Sequence, residues 1–190
     1  MNIDERLVKQ AEQKASLLLE PLGDRWLHTL GVVRQACVVG QAFEEEDRLY
    51  LIAAAYLHDI GYAPSLQKTG FHPIDGAAYV RETFGDERLA SLIAYHSEAQ
   101  VEARLRGYAS ALDQFPREHS AVADALTYCD MTTSPTGKSI TFEERINDIL
   151  SRYDETSIVN QSIRQARPSL LADVEHTQQK LQEHHLIHHA

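Results

Sequence analysis

His58 and Asp59 are adjacent at the end of the run LYLIAAAYLHDIG, and the nine residues before them carry no charge. Both side chains therefore leave backbone that the apolar pattern buries. A buried, unpaired carboxylate is costly or protonates, so Asp59 requires a cation or strong donors nearby. His96 continues the helical stripe Leu89, Leu92, Ile93, and Asp130 follows Ala123 and Leu126 on an apolar helical face. His28 stands among Trp26, Leu27, Leu30, Val32 and Val33. Each residue alone has a structural reading, as a core histidine bonded to a carbonyl or as a helix cap. One metal site accounts for all five together. Imidazole plus carboxylate is the donor set of Fe, Mn, Co, Ni or Zn, and a carboxylate can bridge two such ions.

The elements that must position these residues read as helices throughout. Helical periodicity recurs between turn signals, and no β-branched run is flanked by hairpin turns, so the fold class is all-α, a helical bundle. The pattern predicts a first helix over 3–20, broken by Pro21 and Gly23. A second is capped by Asp24 and reaches about Phe43, followed by an exposed link at Glu44–Asp47. The segment 49–60 is apolar nearly all round and belongs at the centre. A turn-rich loop over 62–73 leads to a helix starting near Pro73 or Ile74 and ending at Gly85. Another helix spans about 87–97, a less regular stretch covers 101–115, and Pro116 opens a helix ending near Met131. TTSPTGKS is a loop, 142–153 an amphipathic helix, and a linker from Asp154 leads to a last helix and polar tail. This divides the chain into an N-terminal helix (1–21), a main domain (22–153) and a C-terminal linker, helix and tail (154–190).

The 190 residues fit one compact domain and are 43% hydrophobic and 24% charged, which excludes disorder and collagen-like repeats. The net charge of −10 removes the footprint that nucleic-acid polymers require, yet allows a small anion if bound metal inverts the local field. Cys37 and Cys129 read as core residues in a reducing compartment. The charged N-terminus has no membrane-length apolar run, so the expected location is cytoplasmic, with no membrane partner. Of ten histidines, His119 and His176 read as surface residues, and His184, His185, His188 and His189 as a solvated tail.

The order His28, His58–Asp59, His72, His96, Asp130 resembles the HD-domain superfamily of metal-dependent phosphohydrolases over about 22–150. The carrying motifs are RWLHTL, LHDIGY and TYCDMT, with FHPIDGAAYV and LIAYHS similar to the extra histidines of binuclear members. Those members include the bacterial enzymes that hydrolyse diadenosine tetraphosphate. The resemblance makes His28, His58, Asp59 and Asp130 ligands of a first metal, with Asp59 bridging to a second held by His72 and His96. His58 and Asp59 become the catalytic pair. For His72, beside Pro73, a water-exposed turn histidine is the alternative. No GYP tripeptide follows the His–Asp pair, so the cyclic di-GMP branch is not indicated.

The implied activity is hydrolysis of a small phosphorylated molecule, a nucleotide by preference, with two divalent ions activating water and clamping the phosphoryl oxygens. Lys68 and Lys138 are the nearest candidate cations for substrate binding, with Arg104 and Arg106 behind them. TSPTGKS is not a P-loop, since it lacks the first glycine and follows no strand. Two alternatives use the same residues: a di-iron oxygenase, or a sensor or interaction module whose metal is structural. An oligomer contact through the last helix is a further expectation.

Overall fold

Leu51, Ala53, Ala54, Ala55 and Leu57 are all fully buried, and the helix they form is the axis of the molecule. The computed structural model describes residues 3–186. Within them run α1 (Ile3–Leu19), α2 (Asp24–Val39), α3 (Glu45–Leu57), α4 (His72–Phe84) and α5 (Glu87–Tyr95). They are followed by α6 (Ala99–Arg106), α7 (Ala109–Leu112), α8 (Ala121–Met131), α9 (Phe142–Arg152) and α10 (Ile158–Glu183). The fold is all-α, and among the described residues the only β-type pairing is one isolated bridge, Thr133–Ser139. No described helix is long and apolar enough to cross a membrane.

The central α3 packs against α1, α2, α5 and α8. Its alanines leave no side chain long enough to hold these neighbours apart. A second, smaller core joins α8, α9 and α10 through Met131, Phe142, Ile146, Ile149, Ala166, Leu170 and Val174. Local signals set the boundaries. Asp86, Ser120, Thr141 and Ser157 cap α5, α8, α9 and α10 by accepting from backbone N–H groups, and Glu144 completes a capping box with Thr141.

Several boundaries differ from the sequence reading. The first turn of α3 contains Glu45, Glu46 and Asp47, acids that suit a helix N-terminus. The stretch after Ala99 forms α6 and the short α7. Pro116 opens no helix. Its carbonyl accepts from Ser91 Oγ, which in turn accepts from the Glu118 N–H at 3.0 Å, and Arg88 grips the Glu118 carboxylate. Those bonds hold 116–119 out of the helix until Ser120 caps α8. The last helix begins at Ile158, with Pro168 inside it, because Val159, Ile163, Ala166, Leu170, Val174 and Leu181 form one continuous stripe. Cys37 is exposed, on the outer face of α2, whereas Cys129 is buried. His119 and His176 are exposed; His184 and His185 lie in a turn, and His188 and His189 fall outside the described residues.

Two close approaches position the site. Gly61 lies in a 3₁₀ turn, Ile60–Tyr62, just past α3. A Cβ there would stand 2.1 Å from the His72 carbonyl oxygen and 2.6 Å from the Gly76 nitrogen, so only glycine lets the start of α4 meet this turn. Gly31 on α2 similarly receives Gly137, where a Cβ would stand 2.6 Å from the Gly137 Cα. That contact lays the loop 132–139 along α2.

Candidate metal centre

His58 caps the C-terminus of α3, where its ring is wholly buried, and Asp59 follows at 3% exposure. The other ligand-type residues converge on them from four elements. His28 comes from α2, His72 from the first position of α4, His96 from the end of α5, and Asp130 from the last turn of α8. Proline at the second position of α4 suits a helix start. His72 is thus a helix residue; its ring stacks on Tyr62 at 4.0 Å and is only partly exposed.

The side chains form two triads, His28–His58–Asp130 and Asp59–His72–His96, each with donor atoms within 4.8 Å of one another. Asp59 stands between them. Its Oδ1 is 3.4 Å from His72 Nε2, while its Oδ2 is 3.4 Å from His58 Nε2 and 4.0 Å from His28 Nε2. His28 Nε2 lies 3.0 Å from Asp130 Oδ1, and the Nε2 atoms of His72 and His96 are 3.2 Å apart. Two ligands each about 2.1 Å from one ion stand about 3.0–3.4 Å apart in octahedral or tetrahedral geometry. The contacts at 3.0–3.4 Å have that spacing.

Ring orientation gives a second test of fit. Nδ1 of His28, His58 and His96 faces the carbonyl oxygens of Ser134 (3.0 Å), Ala55 (2.9 Å) and Ile93 (2.6 Å). A carbonyl only accepts, so each Nδ1 carries a proton, and the form of each ring that binds metal has its Nε2 lone pair turned inward. This is the backbone support usual for metal-bound histidines. His58 Nε2 is buried with no hydrogen-bond partner. Lone pairs and carboxylates face one another here, and a cation between them resolves the conflict. These residues fit one or two divalent ions.

Charge and burial act together on the protonation states. Burial pushes His72 well below the usual imidazole range, with His96 and Arg25 adding to it, and burial together with His58 lowers His96. Burial also opposes a charged His58, but Asp59 and Asp130 outweigh it and the net shift is upward. Asp59 and Asp130 stay well below the usual carboxylate range despite burial. His58 and Arg25 hold Asp59 down, and the His28 contact together with Arg145 holds Asp130.

His28, Asp59, His72, His96 and Asp130 form the floor of a cavity of about 280 Å³, with His58 fully buried behind them. Arg25 and Arg145 reach the floor, Ser97 and Tyr62 flank it, and Met131, Ile149, Tyr153, Val159 and Ile163 form an apolar wall. Arg25 donates to Asp59 Oδ2 at 2.7 Å and lies over the Tyr62 ring at 4.0 Å. Ser97 donates to Asp130 Oδ2 at 2.5 Å, from a backbone held at φ 49, and Glu98 beside it is also left-handed at φ 60. Consecutive non-glycine residues in this region store strain of a kind found at functional sites. The wall takes residues from both sides of position 153, so the last helix contributes to the cavity.

All six expected ligands converge, five on the cavity floor and His58 behind it, whereas Lys68 and Lys138 are exposed and neither lines the cavity. Lys138 points away because its loop is turned onto α2, where Arg34 donates to the Gly137 carbonyl at 2.6 Å. The loop instead supplies the Ser134 carbonyl that orients His28. Arg104 and Arg106 are likewise exposed and off the cavity. The cations that do line it, Arg25, Arg145 and Arg152, were not singled out from the sequence. Arg25 precedes His28 by three residues, one helical turn on the same face, and Arg145 shares an apolar face with Phe142, Ile146 and Ile149. Both spacings were visible signals.

No match was found among curated proteins or solved structures. A family model for the HD domain, a family that includes metal-dependent hydrolases, matches residues 25–155. That span is more than half of the chain and takes in all six converging side chains, so the chain belongs to the HD-domain family.

Proposed function

We propose that the protein is a metal-dependent phosphohydrolase that cleaves a phosphoester or phosphoanhydride of a small molecule, a nucleotide by preference. The observation that carries this reading is Asp59, whose two carboxylate oxygens face two separate sets of ligand-type residues at the floor of a cavity. His28, His58, Asp59 and Asp130 would hold one divalent ion, and Asp59, His72 and His96 a second. Bound ions would supply Lewis-acid polarisation of the phosphoryl group and a water acidified towards neutral pH.

The chain's own residues do the rest. The backbone carbonyls of Ser134, Ala55 and Ile93 fix three imidazoles so that their lone pairs point at the floor. Arg25 holds Asp59 ionised and presents a cation beside it, stacked on Tyr62. The wall of Met131, Ile149, Val159 and Ile163 offers an apolar face to the non-phosphate part of a substrate. A small cavity in a chain of net charge −10 suits a small molecule and not a nucleic-acid polymer. The free thiols of Cys37 and Cys129 fit a reducing, cytoplasmic setting.

The test is phosphate or nucleotide release from a phosphoester panel by purified protein supplied with Mn²⁺, Co²⁺ or Fe²⁺. Activity should depend on the added metal and be abolished in Asp59→Ala. Activity that survives that substitution overturns the proposal.

A further inference from the structure

Arg145 is a buried cation with more donors than partners. Its side chain lines the cavity yet is only 8% exposed. Nη2 lies 3.4 Å from Asp130 Oδ1 and Nη1 lies 3.5 Å from Asp148 Oδ2, and the buried Nε has no partner. A guanidinium carries five N–H donors, and both contacts are at the long limit of a hydrogen bond. The acceptors are also shared. Asp130 Oδ1 faces His28 at 3.0 Å, Asp130 Oδ2 accepts from Ser97, and Asp148 Oδ2 accepts from Arg152 at 2.8 Å. The rest of this face of α9 is Phe142, Ile146 and Ile149, whose side chains accept no hydrogen bond. Unfilled donors on a buried charge are costly, so an acceptor entering the cavity has a place to bind.

The charge balance points the same way. Asp24, Asp59, Glu102 and Asp130 line the cavity with Arg25, Arg145 and Arg152, and Asp59 and Asp130 pair with Arg25 and Arg145 at the floor. Arg25 is committed to Asp59 at 2.7 Å. Two divalent ions there would leave the lining net positive, and a single phosphoryl group would offset only part of that charge. Arg145 presents a planar fork of the kind that recognises phosphate in bidentate fashion.

We propose that Arg145 receives a second phosphoryl group of the substrate, so that the cavity selects diphosphate-bearing molecules over simple phosphomonoesters. This rests on the phosphohydrolase reading above. The apolar wall then takes the remainder of the molecule beyond the diphosphate.

The experiment is calorimetric titration of the full chain, loaded with Mn²⁺ and freed of excess metal, with three hydrolysis-resistant probes: methylphosphonate, methylenediphosphonate and phosphonoacetate. Wild type should bind methylenediphosphonate at least tenfold more tightly than methylphosphonate. Arg145→Gln should erase that preference, and Arg145→Lys, which keeps the charge and loses the fork, should reduce it several-fold. Metal content and the melting curve of each variant show whether the fold and the ions are retained, and if Arg145→Gln does not fold, Arg145→Lys carries the test. An undiminished preference in folded, metal-loaded variants overturns the assignment, because the ions alone would then hold both phosphonates. Phosphonoacetate binding as tightly as methylenediphosphonate overturns selection for a diphosphate. Wild-type binding of methylphosphonate without any preference removes the Arg145 inference alone, whereas no binding of any probe removes the phosphohydrolase reading with it.

Discussion

Replacing Gly61 by alanine should separate the two proposed metal positions. The added Cβ would lie 2.1 Å from the His72 carbonyl oxygen, about 1.3 Å inside the 3.4 Å at which ordinary contact begins, and 2.6 Å from the Gly76 nitrogen. Both neighbours are backbone, so no side chain can rotate away and the start of α4 must move. His72 moves with it. Ligand distances tolerate about 0.2 Å, so a displacement near 1 Å takes His72 Nε2 out of coordination range. His28, His58 and Asp130 ride on α2, α3 and α8 and stay in place. Gly61→Ala should therefore retain one Mn²⁺ per chain instead of two, measured by elemental analysis after dialysis. Hydrolysis should fall about 100-fold, the scale of a 1 Å misplacement at a reacting centre. Overpacking should cost about 1–3 kcal/mol in urea unfolding. His72→Ala is the control, with the same metal loss and no overpacking. Two ions and near-wild-type turnover in Gly61→Ala would refute the reasoning.

Two further outcomes can be checked. Ser97→Ala removes the bond to Asp130 but keeps a left-handed backbone, whereas Ser97→Gly removes the bond and relieves the strain. The glycine variant should be more stable than the alanine variant by about 1 kcal/mol in urea unfolding, with metal-dependent hydrolysis reduced equally in both; a more stable alanine variant would contradict the strain. Asp173, outside the metal floor, is pushed up to about 6 by burial and by Asp124 and Glu98, against the opposing His176 and a Thr127 hydrogen bond. A raised carboxyl favours the folded state while protonated, and that advantage is lost as pH rises from about 4 through 6. Asp173→Asn should therefore be more stable than wild type at pH 7.5, by about 1 kcal/mol after allowance for solvent screening. Melting curves should converge at pH 3.5, and a gap that persists there would show that charge is not the cause.

The residues most readable in the sequence were those whose polarity broke a strong helical pattern. His28, His58, Asp59, His96 and Asp130 each interrupt an apolar face, and helical spacing carries that information within one or two turns. The all-α class and the central place of α3 were legible for the same reason. His72 was harder, because the turn-rich sequence before it hid a helix start that Pro73 marks. The cations were misjudged because proximity in sequence was taken for proximity in space. Lys138 follows Asp130 by eight residues, yet the fit of Gly137 against Leu27 turns its loop to the outside. Arg145 is fifteen residues from Asp130 and reaches its carboxylate across a helix packing that no local pattern describes. The early start of α10 was obscured by the polar residues around Pro168, although its apolar stripe is continuous.

The cavity also divides along the chain. Every residue proposed to hold metal lies between positions 28 and 130, while most of the apolar wall comes from Met131, Ile149, Tyr153, Val159 and Ile163. The proposed metal ligands and most of the apolar wall are thus encoded in consecutive stretches of one polypeptide. Substitutions at Val159 or Ile163 would remodel this wall while leaving Ser134 and Arg145, which support His28 and Asp130, in place. Exchange of the α10 segment between relatives, or its randomisation in the laboratory, would be the natural route to new substrates on an unchanged floor.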